Sequence, residues 1–112
     1  MAYDDGLAER IRELLIDEPG VTETKMFGGL AFLVNGHLSV SASGRGGILV
    51  RVAPADSDAL LEEPGTELMA MGNRPPMDGW IRVAPEALTR ESVLGRWVER
   101  GLRYARSLPA KP

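Results

Sequence analysis

The chain has no cysteine among its 112 residues, and a single histidine, His37. That excludes disulfides, thiolate nucleophiles and cysteine-based zinc sites together, and one histidine cannot build a conventional zinc site. No apolar run approaches the ~18 residues that a membrane span needs. The first residues, Met1-Ala2-Tyr3-Asp4-Asp5, are acidic where a secretory signal is basic and then apolar. The expectation is a cytoplasmic domain with no membrane contact, no metal and no cofactor. Lysine is scarce as well, two against eleven arginines.

What is present is ordinary for a globular domain. The hydrophobic fraction is 44% and the charged fraction 26%, close to folded-protein averages. A chain of this length matches one domain, residues 1–112, and buries roughly two thirds of its unfolded surface. The net charge of −3 conceals an asymmetry. Residues 89–112 hold six basic and two acidic groups, a local +4, so the remaining 88 carry −7. Such a split marks either a nucleic-acid surface or a basic helix lying beside an acidic body.

Periodicity gives the elements. Leu7, Ile11, Leu14 and Leu15 recur at helical spacing over Asp4–Asp17, with Asp4 or Asp5 as cap and Glu18-Pro19-Gly20 as stop. Strands follow over Val21–Phe27, Leu30–Val34, His37–Ser43 and Ile48–Val52. Asn35-Gly36 is the strongest short hairpin signal, and Gly28-Gly29 reads as a bend or bulge. Strict alternation in the third strand places Leu38 and Val40 on one face, and His37, Ser39 and Ser41 on the other. Pro54–Leu61 reads as a short helix, Glu67–Met71 and Trp80–Val83 as strands. Thr89 then caps a long helix to Arg106, with Val93, Leu94, Trp97, Val98, Gly101, Leu102 and Ala105 as its buried stripe. Residues 106–112 read as a loose tail. The predicted class is α+β: a two-layer α/β sandwich with a mainly antiparallel sheet of five to six strands. The order is α-β-β-β(-β)-α-β-β-α, with helices covering one face.

Lys25-Met26-Phe27-Gly28-Gly29-Leu30-Ala31-Phe32-Leu33-Val34-Asn35-Gly36 resembles the signature of the TfoX N-terminal domain family. Leu49-Val50-Arg51-Val52, the Gly72–Trp80 turn and the ending Ala105-Arg106-Ser107-Leu108-Pro109 extend the resemblance over nearly the whole chain. It implies a two-layer α/β sandwich. Founding members of that family regulate natural competence in some bacteria, acting with the cyclic-AMP receptor protein at promoters, and carry a second, helical domain. The expectation here is a standalone N-terminal domain.

Each candidate site has a bland counterpart. Gly28-Gly29 and Gly44-Arg45-Gly46-Gly47 join strands rather than opening a helix, so neither is a phosphate cradle. His37 and Ser39 share a strand face, yet a general base needs a nucleophile and an orienting group beside it, and His37 reads as a solvated hairpin histidine. Leu49, Arg51, Trp80 and Arg82 point away from the apolar set on their strands, onto a face that is either open to a partner or anionic ligand or sheltered by the Gly72–Gly79 loop. Arg96, Arg100 and Arg103 form a stripe on the last helix, either a phosphate-facing row or a solvated face with Glu99 paired to Arg103. The expected role is a non-enzymatic regulatory or adaptor domain working by protein–protein contact, with a homodimer as one form of it. The rivals are DNA binding through the C-terminal helix, and a small anionic ligand or enzymatic site on the sheet face.

Overall fold

The computed structural model describes residues 3–26, 28–70 and 73–110. Helix α1 (Asp5–Leu14) begins where the Asp4 carboxylate accepts from the Leu7 backbone N–H at 3.1 Å, a side-chain N-cap that satisfies an otherwise orphaned donor. It buries Leu7, Ala8 and Ile11. Strands β1 (Val21–Met26), β2 (Gly29–Val34), β3 (His37–Ala42) and β4 (Ile48–Arg51) form an antiparallel meander. The β2–β3 turn has Asn35 at φ 52° and Gly36 at φ 87°, the pair of positive angles that a tight twisted hairpin requires. Phe27, at the end of the expected first strand, lies outside the described residues. Gly29 opens β2 where a Cβ would lie 2.2 Å from the Ala42 carbonyl oxygen.

A short 3-10 turn (Pro54–Asp56) leads into α2 (Ser57–Leu60), followed by β5 (Thr66–Leu68), β6 (Trp80–Val83), a second 3-10 turn (Pro85–Leu88) and α3 (Glu91–Ser107). The six strands are ordered β1-β2-β3-β4-β6-β5, every pair antiparallel. The α+β sandwich expected from the sequence is therefore present, and the helices pack on one face against Leu30, Phe32, Val40, Ala42, Ile48, Val50, Ile81 and Val83.

Four expectations need correction. Leu38 and Val40 do not share a face. Between Phe32 and Leu33 the β2–β3 register slips, so that Val40 faces Phe32 while Leu38 faces Leu33. The extra residue is Ser39, and this bulge turns Leu38 to the helix-free side. β5 is shorter than Glu67–Met71: Met69 still donates its N–H to the Trp80 carbonyl, but its own carbonyl accepts from the Met77 N–H in the following loop; Met71 and Gly72 lie outside the described residues. α3 is capped at Arg90, without a side-chain bond, because Pro85–Leu88 winds first into a 3-10 turn. The tail begins after Ser107 rather than at Arg106, and Nε2 of His37 donates to the Pro109 carbonyl at 2.6 Å. Lys111 and Pro112 lie outside the described residues.

The bulge is also where α3 crosses the sheet. A Cβ on Gly101 would stand 2.4 Å from the Ser39 carbonyl oxygen, so only glycine lets the helix lie this close. Around that contact α3 buries Leu94, Trp97, Val98 and Ala105. Gly95, six residues earlier on the same helix, has no atom within 4 Å of an added Cβ. Gly101→Ala is expected to lower stability by about 1–3 kcal/mol through overpacking. Gly95→Ala should raise it by roughly 0.5–1 kcal/mol through helix propensity. Urea midpoints of the two variants against wild type check the pair, and equal effects would refute the close-crossing account.

Candidate partner-contact site

The four residues singled out on β4 and β6 fall into two cross-strand pairs, Leu49 with Arg82 and Arg51 with Trp80. Their environments differ. Leu49 is buried, packed with Ala31, Leu38 and Met69 into a second apolar cluster on the helix-free face, with Met26, Leu33, Met77 and Trp80 partly buried around it. Arg82 is largely sheltered, donating to the Ser43 hydroxyl at 3.3 Å and facing Glu67 at 3.7 Å. The centre of that face is thus closed, and its rim is half-exposed methionine and tryptophan.

Arg51 closes the strand and reaches round the end of the sheet. Its guanidinium sits 5.2 Å from the Trp80 ring centre and 5.5 Å from that of Tyr104 on α3. It has no carboxylate within 4 Å among the described residues. Two ring faces hold a cation in place without neutralising it. Tyr104 is absent from the sequence-based candidates. It lies on the helix layer, and only the end of β4 brings it to Arg51.

The α3 arginines do not act as one stripe. Arg100 binds Glu63 at 2.7 Å and stacks 4.5 Å over Trp97. Arg103 binds Glu99 at 2.9 Å, and Arg106 binds Glu18 at 2.8 Å. Arg96 is exposed and has no such carboxylate partner among the described residues. Between α2 and α3 lies an open groove of about 410 Å³, walled by Val52, Leu60, Arg100 and Tyr104.

His37 and Ser39 are differently placed. Ser39 is fully buried beneath Gly101 with its hydroxyl unpartnered, and the Nδ1 of His37 is buried as well. Gly44–Gly47 is a closed hairpin turn, Gly46 N–H donating to the Ser43 carbonyl. Among the described residues no group of three or more His, Asp or Glu is placed to hold a metal ion. No helix among them is long and apolar enough to cross a membrane.

At the opposite side of the molecule, β1 is an edge. Arg12 of α1 grips Glu23 through two bonds, 2.6 and 2.8 Å, and also pairs with Glu9. The hydrogen bond from Arg12 holds the Glu23 carboxyl below its ordinary range, against a smaller opposing effect of burial. Beside this pair Ile16 stands 76% exposed. A groove of about 290 Å³ runs between Ile16, Leu15, Val21 and Phe32.

The TfoX N-terminal domain family model matches residues 13–105, most of the chain. No curated protein and no solved structure matches it.

Because the folded-state value of Glu23 is depressed, its ion pair stabilises the fold above the ordinary carboxylate range. That stabilisation disappears as pH falls through the depressed value. Glu23→Gln should therefore lower the urea midpoint slightly at neutral pH, and the gap to wild type should close on acidification. A gap that widens toward low pH would contradict the pairing.

Proposed function

The chain belongs to the TfoX N-terminal domain family, and from that membership we propose that it is a non-enzymatic regulatory or adaptor module working by protein–protein contact. The observation that carries this reading is the Arg51 guanidinium held between Trp80 and Tyr104 without a carboxylate, at the rim of the methionine-rich cluster. Tryptophan, tyrosine and arginine are the side chains that most often anchor interfaces. Methionine beside them is adaptable enough to fit a partner's surface. A cation already fixed by two rings loses little side-chain freedom when a partner carboxylate meets it. The favoured partner surface is thus apolar with an acidic group set to reach Arg51.

Direct DNA binding through α3 is the weaker reading, since Arg100, Arg103 and Arg106 each face a carboxylate of this chain. An incoming phosphate would have to displace those partners, and only counterions freed from unpaired cations add to affinity.

Two measurements test the module. Partners captured by the wild-type protein should be lost with Arg51→Glu and with Trp80→Ala while circular dichroism stays unchanged. Capture that survives both substitutions, or an absence of any partner, would overturn the reading. Mobility-shift titration at low salt should give no DNA complex at micromolar protein. A complex that an Arg96→Ala/Arg103→Ala variant abolishes would reinstate the nucleic-acid reading.

A further inference from the structure

The two edges of the sheet are unequal. β5 has three residues, whereas β1 has six, of which Thr22, Glu23, Thr24 and Lys25 are exposed. The bond from Asn35 N–H to the Gly20 carbonyl fixes the phase of the β1–β2 ladder. Thr22, Thr24 and Met26 spend their main-chain groups on β2, and Val21, Glu23 and Lys25 turn theirs outward. The free edge therefore presents three N–H and three C=O groups in a row. Charged side chains on such an edge ordinarily discourage pairing. Here the two charges are opposite in sign and two residues apart, on the helix-facing side.

We propose that this edge pairs with the β1 edge of a second copy of the chain, antiparallel, across a two-fold axis passing through Thr24. The inference deepens the contact-module reading by naming a self-association surface; the edge lies four strands from Trp80 in the sheet, although Met26 at the end of β1 borders the same apolar face. Main-chain phase puts the axis through a residue; an axis through Val21 meets Pro19 of the second copy opposite Glu23, and one through Lys25 sets two lysines opposite each other, which leaves Thr22, Glu23 or Thr24. An axis through Glu23 sets the two Glu23 carboxylates opposite each other, which is unfavourable. An axis through Thr22 sets Lys25 opposite Pro19 of the second copy, which has no N–H to donate. The axis through Thr24 sets each Glu23 opposite Lys25 of the second copy and Thr24 opposite Thr24, pairings that antiparallel sheets favour. The two sheets become one of twelve strands, and the two helix layers come side by side. That takes Ile16 out of water, where it is otherwise 76% exposed beside a groove of mixed lining, with Leu15, Val21 and Phe32 next to Arg12, Glu18 and Glu23. Arg12 grips both oxygens of the Glu23 carboxylate from α1 and favours its ionised form, so Lys25 of the second copy would join an existing ion pair.

Light scattering over a micromolar to millimolar range should show wild-type dimer. Lys25→Glu sets like charges opposite each other at both symmetric positions and should weaken the dimer about tenfold or more; Glu23→Lys should do the same. An equimolar mixture of the two variants restores every opposite-charge pair and should form the heterodimer that neither variant forms alone. Lys25→Pro, which removes only an outward N–H, should abolish dimerisation while circular dichroism and the urea midpoint stay near wild type. A wild-type monomer at millimolar concentration overturns the proposal, and so does a dimer indifferent to Lys25→Glu. If the dimer instead depends on Trp80, this edge is wrong and the contact-module reading stands. If a dimer forms at the edge but nothing depends on Arg51 or Trp80, the edge stands and the partner face is wrong.

Discussion

The structure depends on one close approach, the backbone of α3 at Gly101 lying against the Ser39 carbonyl of β3. Helices resting on a sheet are normally held off by their side chains. Here a missing Cβ on the helix coincides with a bulge that pushes an extra residue of the sheet toward it. The two irregularities fit each other, and either alone would be a defect. Trp97, Leu94, Val98 and Ala105 fill the space around the crossing. The unpartnered Ser39 hydroxyl is the polar cost of that fit.

The bulge has a second effect, on the far side of the sheet. By turning Leu38 over it supplies the helix-free face with a large apolar residue, beside Ala31, Leu49 and Met69. A two-layer fold with one wet face would need no such cluster. The sheet is apolar on both sides in its middle, and its far side thins to methionine and tryptophan at the rim. The candidate contact surface is therefore a consequence of how β3 is built to receive α3, and not a separate addition to the fold.

Much of this was legible in the residues. Asn35-Gly36, the 3.6-residue stripes of α1 and α3 and the alternating β4 and β6 gave the class, the element order and the buried face. The bulge was not legible, because His37–Ser43 alternates as cleanly as a regular strand and only the pairing with β2 exposes the slip. Thr89 was a plausible cap by composition, and Pro85 displaced it by starting a 3-10 turn upstream. At the candidate site, Arg51 and Trp80 could be placed on one face of the sheet by alternation, though not as a cross-strand pair. Tyr104 could not, because its contact to Arg51 joins residues 53 positions apart across two layers. The ion partners of Arg100 and Arg106, Glu63 and Glu18, are hidden for the same reason.

The excess of arginine over lysine acquires a physical reason at this point. Lysine would supply the same charge, but not the flat fork that grips a carboxylate with two bonds or lies against a ring. Arg12 uses the first property on Glu23, Arg51 the second on Trp80 and Tyr104, and Arg100 uses its face on Trp97 and its end on Glu63. Two of the six basic groups of the C-terminal segment, Arg100 and Arg106, are met by Glu63 and Glu18 from the acidic remainder, and Arg103 by Glu99 of its own helix. What looks in the sequence like two oppositely charged regions becomes a set of short-range clamps between layers. A long-range field of the kind that draws in nucleic acid needs unpaired charge on one side. Among the described residues Arg51 is held between two rings with no carboxylate of this chain on it, so the proposed complement is a single acidic group and not a polyanion.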